Sequence, residues 1–184
     1  MITIVTGNNK KFAEMKEALG VHRIEVTRQQ VEIDEIQELE PEKVIRAKAL
    51  AAFEKIGSAV LVDDSGITFE SFPKFPGTYS KFAYKALGFQ GLYKLIHPGE
   101  KATFTCSVGF MEKGMHEPQI FWGTYEGTMQ EPPATDSGTE EMPYALIFQP
   151  TGESKPMAEM TTQERTQDHR HKALNAFAAW YTIR

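Results

Sequence analysis

Apolar residues along this chain change their period several times, and the changes mark its elements. Ile2 to Val5 is a β-branched run that stops at Thr6-Gly7-Asn8, after which Phe12, Met15, Ala18 and Leu19 recur at helical spacing up to Gly20. This pattern predicts strand, tight loop and helix. Ile24 to Val31 has strand character and is followed by an acidic stretch, Glu32 to Glu42. Pro41 suits the first turn of a second helix, because its missing N–H is not needed there. The apolar stripe of that helix is Ile45, Ala49, Ala52, Phe53 and Ile56, and it stops at Gly57.

Ala59 to Val62 reads as a buried strand running into Asp63-Asp64-Ser65-Gly66, which places acidic residues at a strand end before Ile67-Thr68-Phe69 resumes extended character. Phe72 to Gly77 is broken by Pro73, Pro76 and Gly77, and Tyr79 to Ile96 reads as a helix interrupted near Gly88 and Gly91. In Thr103 to Met111, Phe104, Cys106, Val108 and Phe110 share one face; Lys113-Gly114 then offers a turn into Gln119 to Tyr125, giving an antiparallel pair. A polar loop from Met129 to Met142 leads to a short strand, Tyr144 to Gln149. The last helix turns Leu174, Phe177, Ala178 and Tyr181 inward and has Asp168 as its N-cap. With no internal repeat or composition break, the expectation is one α/β domain over residues 1–184, a mixed β-sheet flanked by helices in two lobes around a central cleft.

The 184 residues are 41% hydrophobic and 24% charged, enough apolar material for a core without disulfides or a structural metal. Cys106 has no partner in the chain, nothing at the N-terminus resembles a signal peptide, and no apolar run approaches the ~20 residues of a membrane span. A cytoplasmic protein away from membranes is expected. The formal charge of -5 speaks against a nucleic acid polymer as partner, since such binding needs a basic field. It leaves room for a small polyanion held by a few lysines and a metal.

Several segments could carry that chemistry. A strand followed by Thr6-Gly7-Asn8 and a helix presents unpaired N–H groups to an anion, with Lys10 and Lys11 adding to the field, although the same residues also make an ordinary capping turn. Asp63-Asp64 could bind a hard cation such as magnesium, and Asp-Asp-Ser-Gly could equally be a turn. Lys48 flanks the apolar stripe of its helix, while Glu35 lies in a run that reads as solvated surface. His169-Arg170 puts cations in a first turn, where they oppose the helix dipole unless an anion approaches. Zinc, nucleophile-elbow and Walker-type signatures are missing from the sequence, and Cys106 reads as packing.

Taken in order, Thr6-Gly7-Asn8 with Lys11, the Glu35 region, Lys48, Asp63-Asp64-Ser65-Gly66, Pro76-Gly77-Thr78-Tyr79-Ser80 and His169-Arg170 resemble the inosine triphosphate pyrophosphatase family over nearly the whole chain. Phe148-Gln149-Pro150 and Ala158-Glu159-Met160 extend the likeness. The resemblance implies a mixed-sheet α/β fold with a cleft, usually a homodimer, that cleaves the nucleoside triphosphates ITP, dITP and XTP to the monophosphate and pyrophosphate. It implies that Thr6, Gly7, Asn8 and Lys11 hold phosphates and that Lys48 contacts the triphosphate. It further implies that Glu35 and Asp64 organise Mg2+ and the attacking water, with Asp64 as base, and that Ser65, His169 and Arg170 face the nucleotide.

The sequence departs from that family where the base is read. In place of Phe-Gly-aromatic-Asp-Pro stand Met142-Pro143-Tyr144-Ala145-Leu146: Tyr144 keeps an aromatic for stacking, Ala145 replaces the recognition Asp, and Glu140 or Glu141 are candidate substitutes. The family's Ser-His-Arg is Asp168-His169-Arg170, and its preceding lysine is matched by Arg165. Two alternatives follow from these changes: the same reaction on a different or broader nucleotide set, or a nucleotide-binding module without turnover.

Overall fold

Two short strands, β1 (Ile2–Val5) and β2 (Val26–Gln29), pair in parallel from Ile2 with Val26 to Val5 with Gln29. α1 (Asn9–Val21) crosses between them, capped by Asn8, whose side chain accepts the Lys11 N–H. A computed structural model of the chain describes residues 1–132 and 143–184. Among the described residues, α2 (Pro41–Ile56) starts on Pro41 and ends on Gly57 in the left-handed region, as the sequence pattern requires.

β3 (Val60–Phe69) corrects one expectation. Asp63 to Gly66 form neither a turn nor a strand end but the middle of a ten-residue strand, because β5 (Lys101–Met111) pairs with its whole length, from Val60 with Met111 to Phe69 with Ala102. Phe72 to Gly77, read as a break, is also a strand, β4, antiparallel to the end of β3 and off the main strand path, where prolines cost no ladder bond. α3 (Ser80–Leu92) is kinked at Gly88, whose φ is 59°. β6 (Gln119–Met129) pairs antiparallel with β5, and β7 (Phe148–Pro150) with β6. Tyr144 to Gln149 is therefore only partly a strand: Pro143–Leu146 is a 3₁₀ turn that buries Tyr144 and Ala145. α4 (His169–Tyr181) closes the chain, with the Asp168 carboxylate accepting the His171 N–H as its cap.

The result is a mixed α/β fold, a seven-stranded open sheet in the order β2-β1-β3-β5-β6-β7, with β4 beside β3. Strand alternation sends Ile2, Ile4, Leu61, Val108 and Phe110 towards α1 and α4, and Val5, Val60, Val62 and Met111 towards α2. The far ends of β3 and β5 pack Ile67, Phe69 and Phe104 with α3 and the 3₁₀ turn. Gly123 on β6 lets α4 lie close: a Cβ there would stand 2.0 Å from the His169 carbonyl oxygen and 2.6 Å from Ala173 N. No helix of the described residues is long and apolar enough to cross a membrane.

Candidate active site

β1 stops early and β3 does not, since their pairing covers only Thr3 with Val60 and Ile4 with Leu61. Residues 63–66 of β3 therefore border an opening beyond the carboxyl end of β1, the place where parallel strands leave room for a ligand. A cavity of about 490 Å³ lies there, and it is lined by Thr6, Gly7, Asn8, Lys11, Glu35, Lys48, Asp64, Ser65, Tyr144, His169 and Arg170. Those are the residues singled out from the sequence, drawn from α1, α2, β3, α4 and three loops.

Alternation along β3 gives the two aspartates different surroundings. Asp63 shares the parity of Leu61, on the α1 and α4 side, whereas Asp64 shares that of Val62, on the α2 side. Asp63 is 3% exposed, 3.0 Å from Lys11 Nζ and 3.4 Å from Arg170 Nε. Burial pushes its carboxyl up, but Lys11, Arg170 and Lys48 outweigh burial and hold it well below the usual carboxylate range.

Arg170 also donates to Glu14 at 2.6 Å and to Ser65 Oγ at 3.4 Å, and Glu14 accepts from Arg165 at 3.0 Å. A continuous run of opposite charges, Arg165, Glu14, Arg170, Asp63 and Lys11, thus ties α1, β3 and α4 together beside the cavity. The Arg170 cation in the first turn of α4 is offset by carboxylates inside the protein, and it still lines the cavity together with His169. His169 is buried and stacks on Phe104 with centroids 4.9 Å apart. Burial, and then the Arg170 charge, lower its pKa to about 3, so the ring is neutral, and its Nδ1 has no hydrogen-bond partner among the described residues.

Asp64 is the opposite case. No side-chain hydrogen bond or ion pair engages its carboxylate among the described residues, and its pKa is raised, by burial first and by the negative fields of Asp63 and Glu35, against the pull of Lys48 and Lys11. Facing it from α2, Lys48 Nζ is 2.6 Å from Glu35. Burial disfavours the Lys48 charge, yet Glu35, Asp63 and Asp64 together raise its pKa. Burial likewise lifts Glu35, but Lys48, with Lys11 and Lys81, brings it below its ordinary value. At the entrance to α1, Asn8 N–H donates to Thr6 Oγ1 at 3.1 Å and Asn8 Oδ1 accepts the Lys11 N–H at 3.0 Å. No acidic residue occupies that first turn, so the field of the dipole and the lysines stays positive.

At the far end of the cavity, Tyr144 is buried and its hydroxyl donates to the Ser80 carbonyl at 3.0 Å, with its ring edge-on to Tyr84. Ala145 is buried beside it. Glu140, Glu141 and Met142 lie outside the described residues.

The model of the Ham1 family matches residues 2–180. The chain belongs to the Ham1 family. It is similar to the dITP/XTP pyrophosphatase of Methanopyrus kandleri, at 36% identity covering 98% of this chain and 95% of that one. It is also similar to the inosine triphosphate pyrophosphatase of Emericella nidulans, at 32% identity covering 97% and 95%. Among solved structures, a HAM1 protein from Coxiella burnetii superimposes with a TM-score of 0.77 at 25% identity, covering 100% of this chain and 98% of the other.

Within this Ham1-family chain, charged neighbours of the site that the sequence pattern does not single out include Glu14, Lys81 and Lys85. The signal for Glu14 is its position, on the inward stripe of α1 with Lys11, Met15 and Ala18, where a carboxylate needs a partner. Lys81, which also lines the cavity, follows directly on the Pro76 to Ser80 segment. Among the described residues, no group of three or more His, Cys, Asp or Glu side chains is gathered tightly enough to hold a metal ion unaided.

Proposed function

We propose that this chain hydrolyses non-standard purine nucleoside triphosphates, ITP, dITP and XTP, to the monophosphate and pyrophosphate, as the names of its relatives describe for them. The observation that carries the reading is the meeting of a phosphate-binding loop, unpaired Asp64 and the lysines 11, 48 and 81 in one cavity. A triphosphate brings about four negative charges, and such a set of cations and N–H groups offsets them.

In this reading Thr6, Gly7, Asn8 and Lys11 hold phosphates, while Lys48 and Lys81 take the charge that gathers on phosphate oxygens as the bond breaks. Asp64 takes the proton of the attacking water. Water oxygen bonds to the α-phosphorus, the bond from that phosphorus to the bridging oxygen breaks, and pyrophosphate leaves with the electron pair. A carboxylate with raised pKa and no protein donor is suited to accept that proton. Asp63, neutralised by Lys11 and Arg170, holds those cations in place.

The donor set fits a divalent cation. Asp64 and Glu35 are mutually repelling carboxylates at the cavity wall, and magnesium prefers few carboxylates completed by water and phosphate oxygens. Mg2+ bound by Glu35 and Asp64 would supply charge neutralisation on the phosphates. Ser65, His169 and Arg170 border the nucleoside, with neutral His169 able to pair with a base edge through either tautomer. A single domain over residues 1–184, acting as a cytoplasmic homodimer without nucleic acid or membrane partners, completes the proposal.

One observation favours a second reading. Ala145 offers no hydrogen-bonding group, and the Tyr144 hydroxyl is committed to Ser80, so the described residues discriminate weakly between bases, and the same reaction on a broader nucleotide set follows. Steady-state rates on inosine, xanthosine, adenosine, guanosine and pyrimidine triphosphates separate the two. Preference for the first pair supports the leading reading and equal use of all supports the second. Turnover of none, with binding retained, would leave a module without activity and reject both.

A further inference from the structure

The end of β2 is built against the loop that follows β1. Because β1 and β2 are parallel and end together, the residues leaving β2 lie beside Thr6 to Asn9. Strand alternation places Arg28 and Gln30 on one face. Arg28 Nε donates to the Thr6 carbonyl at 3.0 Å, and its Nη2 donates to the Gly7 carbonyl at 3.2 Å and to Gln30 Oε1 at 3.5 Å. Its Nη1 donates to Asn9 Oδ1. Gln30 lies against Gly7, with its amide nitrogen 3.6 Å from where a Cβ of that glycine would stand. Arg28 itself is not part of the cavity wall, whereas Thr6, Gly7 and Asn8 are.

We infer that Arg28 is a positioning residue for the phosphate-binding loop, a clamp on β2 that holds the Thr6 and Gly7 carbonyls away from the ligand and leaves the Gly7 N–H to donate to an anion, without itself touching the ligand. The geometry of the peptide bond gives the reason. Carbonyl and N–H of one trans peptide point in opposite directions, so the Thr6 carbonyl held towards Arg28 turns the N–H of Gly7 away from it, while the Asn8 N–H of the next peptide is held by Thr6 Oγ1 and stiffens the loop. The same contacts remove two carbonyl dipoles that would repel phosphate. The Asn9 contact anchors the first residue of α1 as well, so loop and helix start move as one piece. A guanidinium suits this task, because its planar fork reaches several acceptors at once, which an ammonium group on a flexible stem cannot do.

The inference rests on the proposed phosphate-binding role of the loop, and its test separates the two. Calorimetric binding of inorganic triphosphate to the full chain, in chelator-treated buffer, is compared for wild type, Arg28→Ala, Arg28→Gln and Arg28→Lys. The clamp predicts at least tenfold weaker binding for Arg28→Ala and Arg28→Gln. Arg28→Lys restores the charge but not the fork, and stays at least fivefold weaker. In turnover, KM for the nucleotide rises by a similar factor while kcat changes less than threefold. Affinities within twofold of wild type, or full recovery by Arg28→Lys, overturn the clamp. If wild type takes no triphosphate, the nucleotide reading fails on its own; amide exchange at Gly7, Asn8 and Asn9 then decides the clamp. Exchange tenfold faster in Arg28→Lys than in wild type supports it, and equal exchange rejects it.

Discussion

Glu14 offers the sharpest test of how the site is held together. Its carboxylate, 11% exposed, accepts from Arg170 at 2.6 Å and from Arg165 at 3.0 Å, and the Arg170 side chain is 2% exposed. Removing one partner of a buried pair leaves the other charge uncompensated, which costs about 3–5 kcal/mol. Arg170 keeps Asp63 at 3.4 Å, so its charge is not stranded and the lower end applies. Arg165, more accessible than Arg170, adds under about 1 kcal/mol. Glu14→Ala should therefore lower stability by about 3 kcal/mol in urea denaturation, as a shift of midpoint at constant slope. Arg170→Met should cost less in the Glu14→Ala background than in the wild type, giving a coupling energy of about 2 kcal/mol in a double-mutant cycle. A loss below about 1 kcal/mol, or strictly additive single mutations, would refute the account of a charge chain bracing α1 against α4.

Three further outcomes are expected. His169 has a folded-state pKa of about 3 against 6.5 when unfolded, so its contribution is complete above the unfolded value and is lost as acid protonates the unfolded state first. Between about pH 7 and about pH 5 this amounts to about 2 kcal/mol. His169→Gln should flatten that part of the stability profile, and parallel profiles for both proteins would reject a neutral buried ring. Asp64→Asn should cost at least ~100-fold in kcat while nucleotide affinity changes little, and an unaltered kcat would remove Asp64 from the chemistry. Gly123→Ala forces α4 away from β6, since its Cβ would stand 2.0 Å from a carbonyl oxygen. It should destabilise by about 2 kcal/mol or more, seen as a fall in Tm; an unchanged Tm would mean that the two elements are not in close contact.

Much of the fold could be read from periodicity because three of the four described α-helices carry their own start signal: Asn8, Pro41 and Asp168 open α1, α2 and α4 where the pattern changes. Asp63 to Gly66 read as a turn or strand end, and lie mid-strand in β3, for a physical reason. Turn propensity is local, whereas the pairing that keeps this segment extended comes from β5, about forty residues away in sequence. The same strand also shows what sequence alone cannot distribute. Adjacent aspartates look equivalent in a motif, and only the pleat pairs Asp63 with Lys11 and Arg170 and leaves the Asp64 carboxylate without a side-chain partner among the described residues. Arg28 and Glu14 carry no motif of their own, because their partners, Thr6 and Arg170, become neighbours only once β1 pairs with β2 and α1 meets α4.

Where water enters is the most direct measure of the proposed chemistry. Hydrolysis of ITP in heavy-oxygen water, followed by mass spectrometry of the products, should place the label in IMP and leave pyrophosphate unlabelled, because attack is at the α-phosphorus. Label in pyrophosphate, or release of labelled orthophosphate, would contradict it.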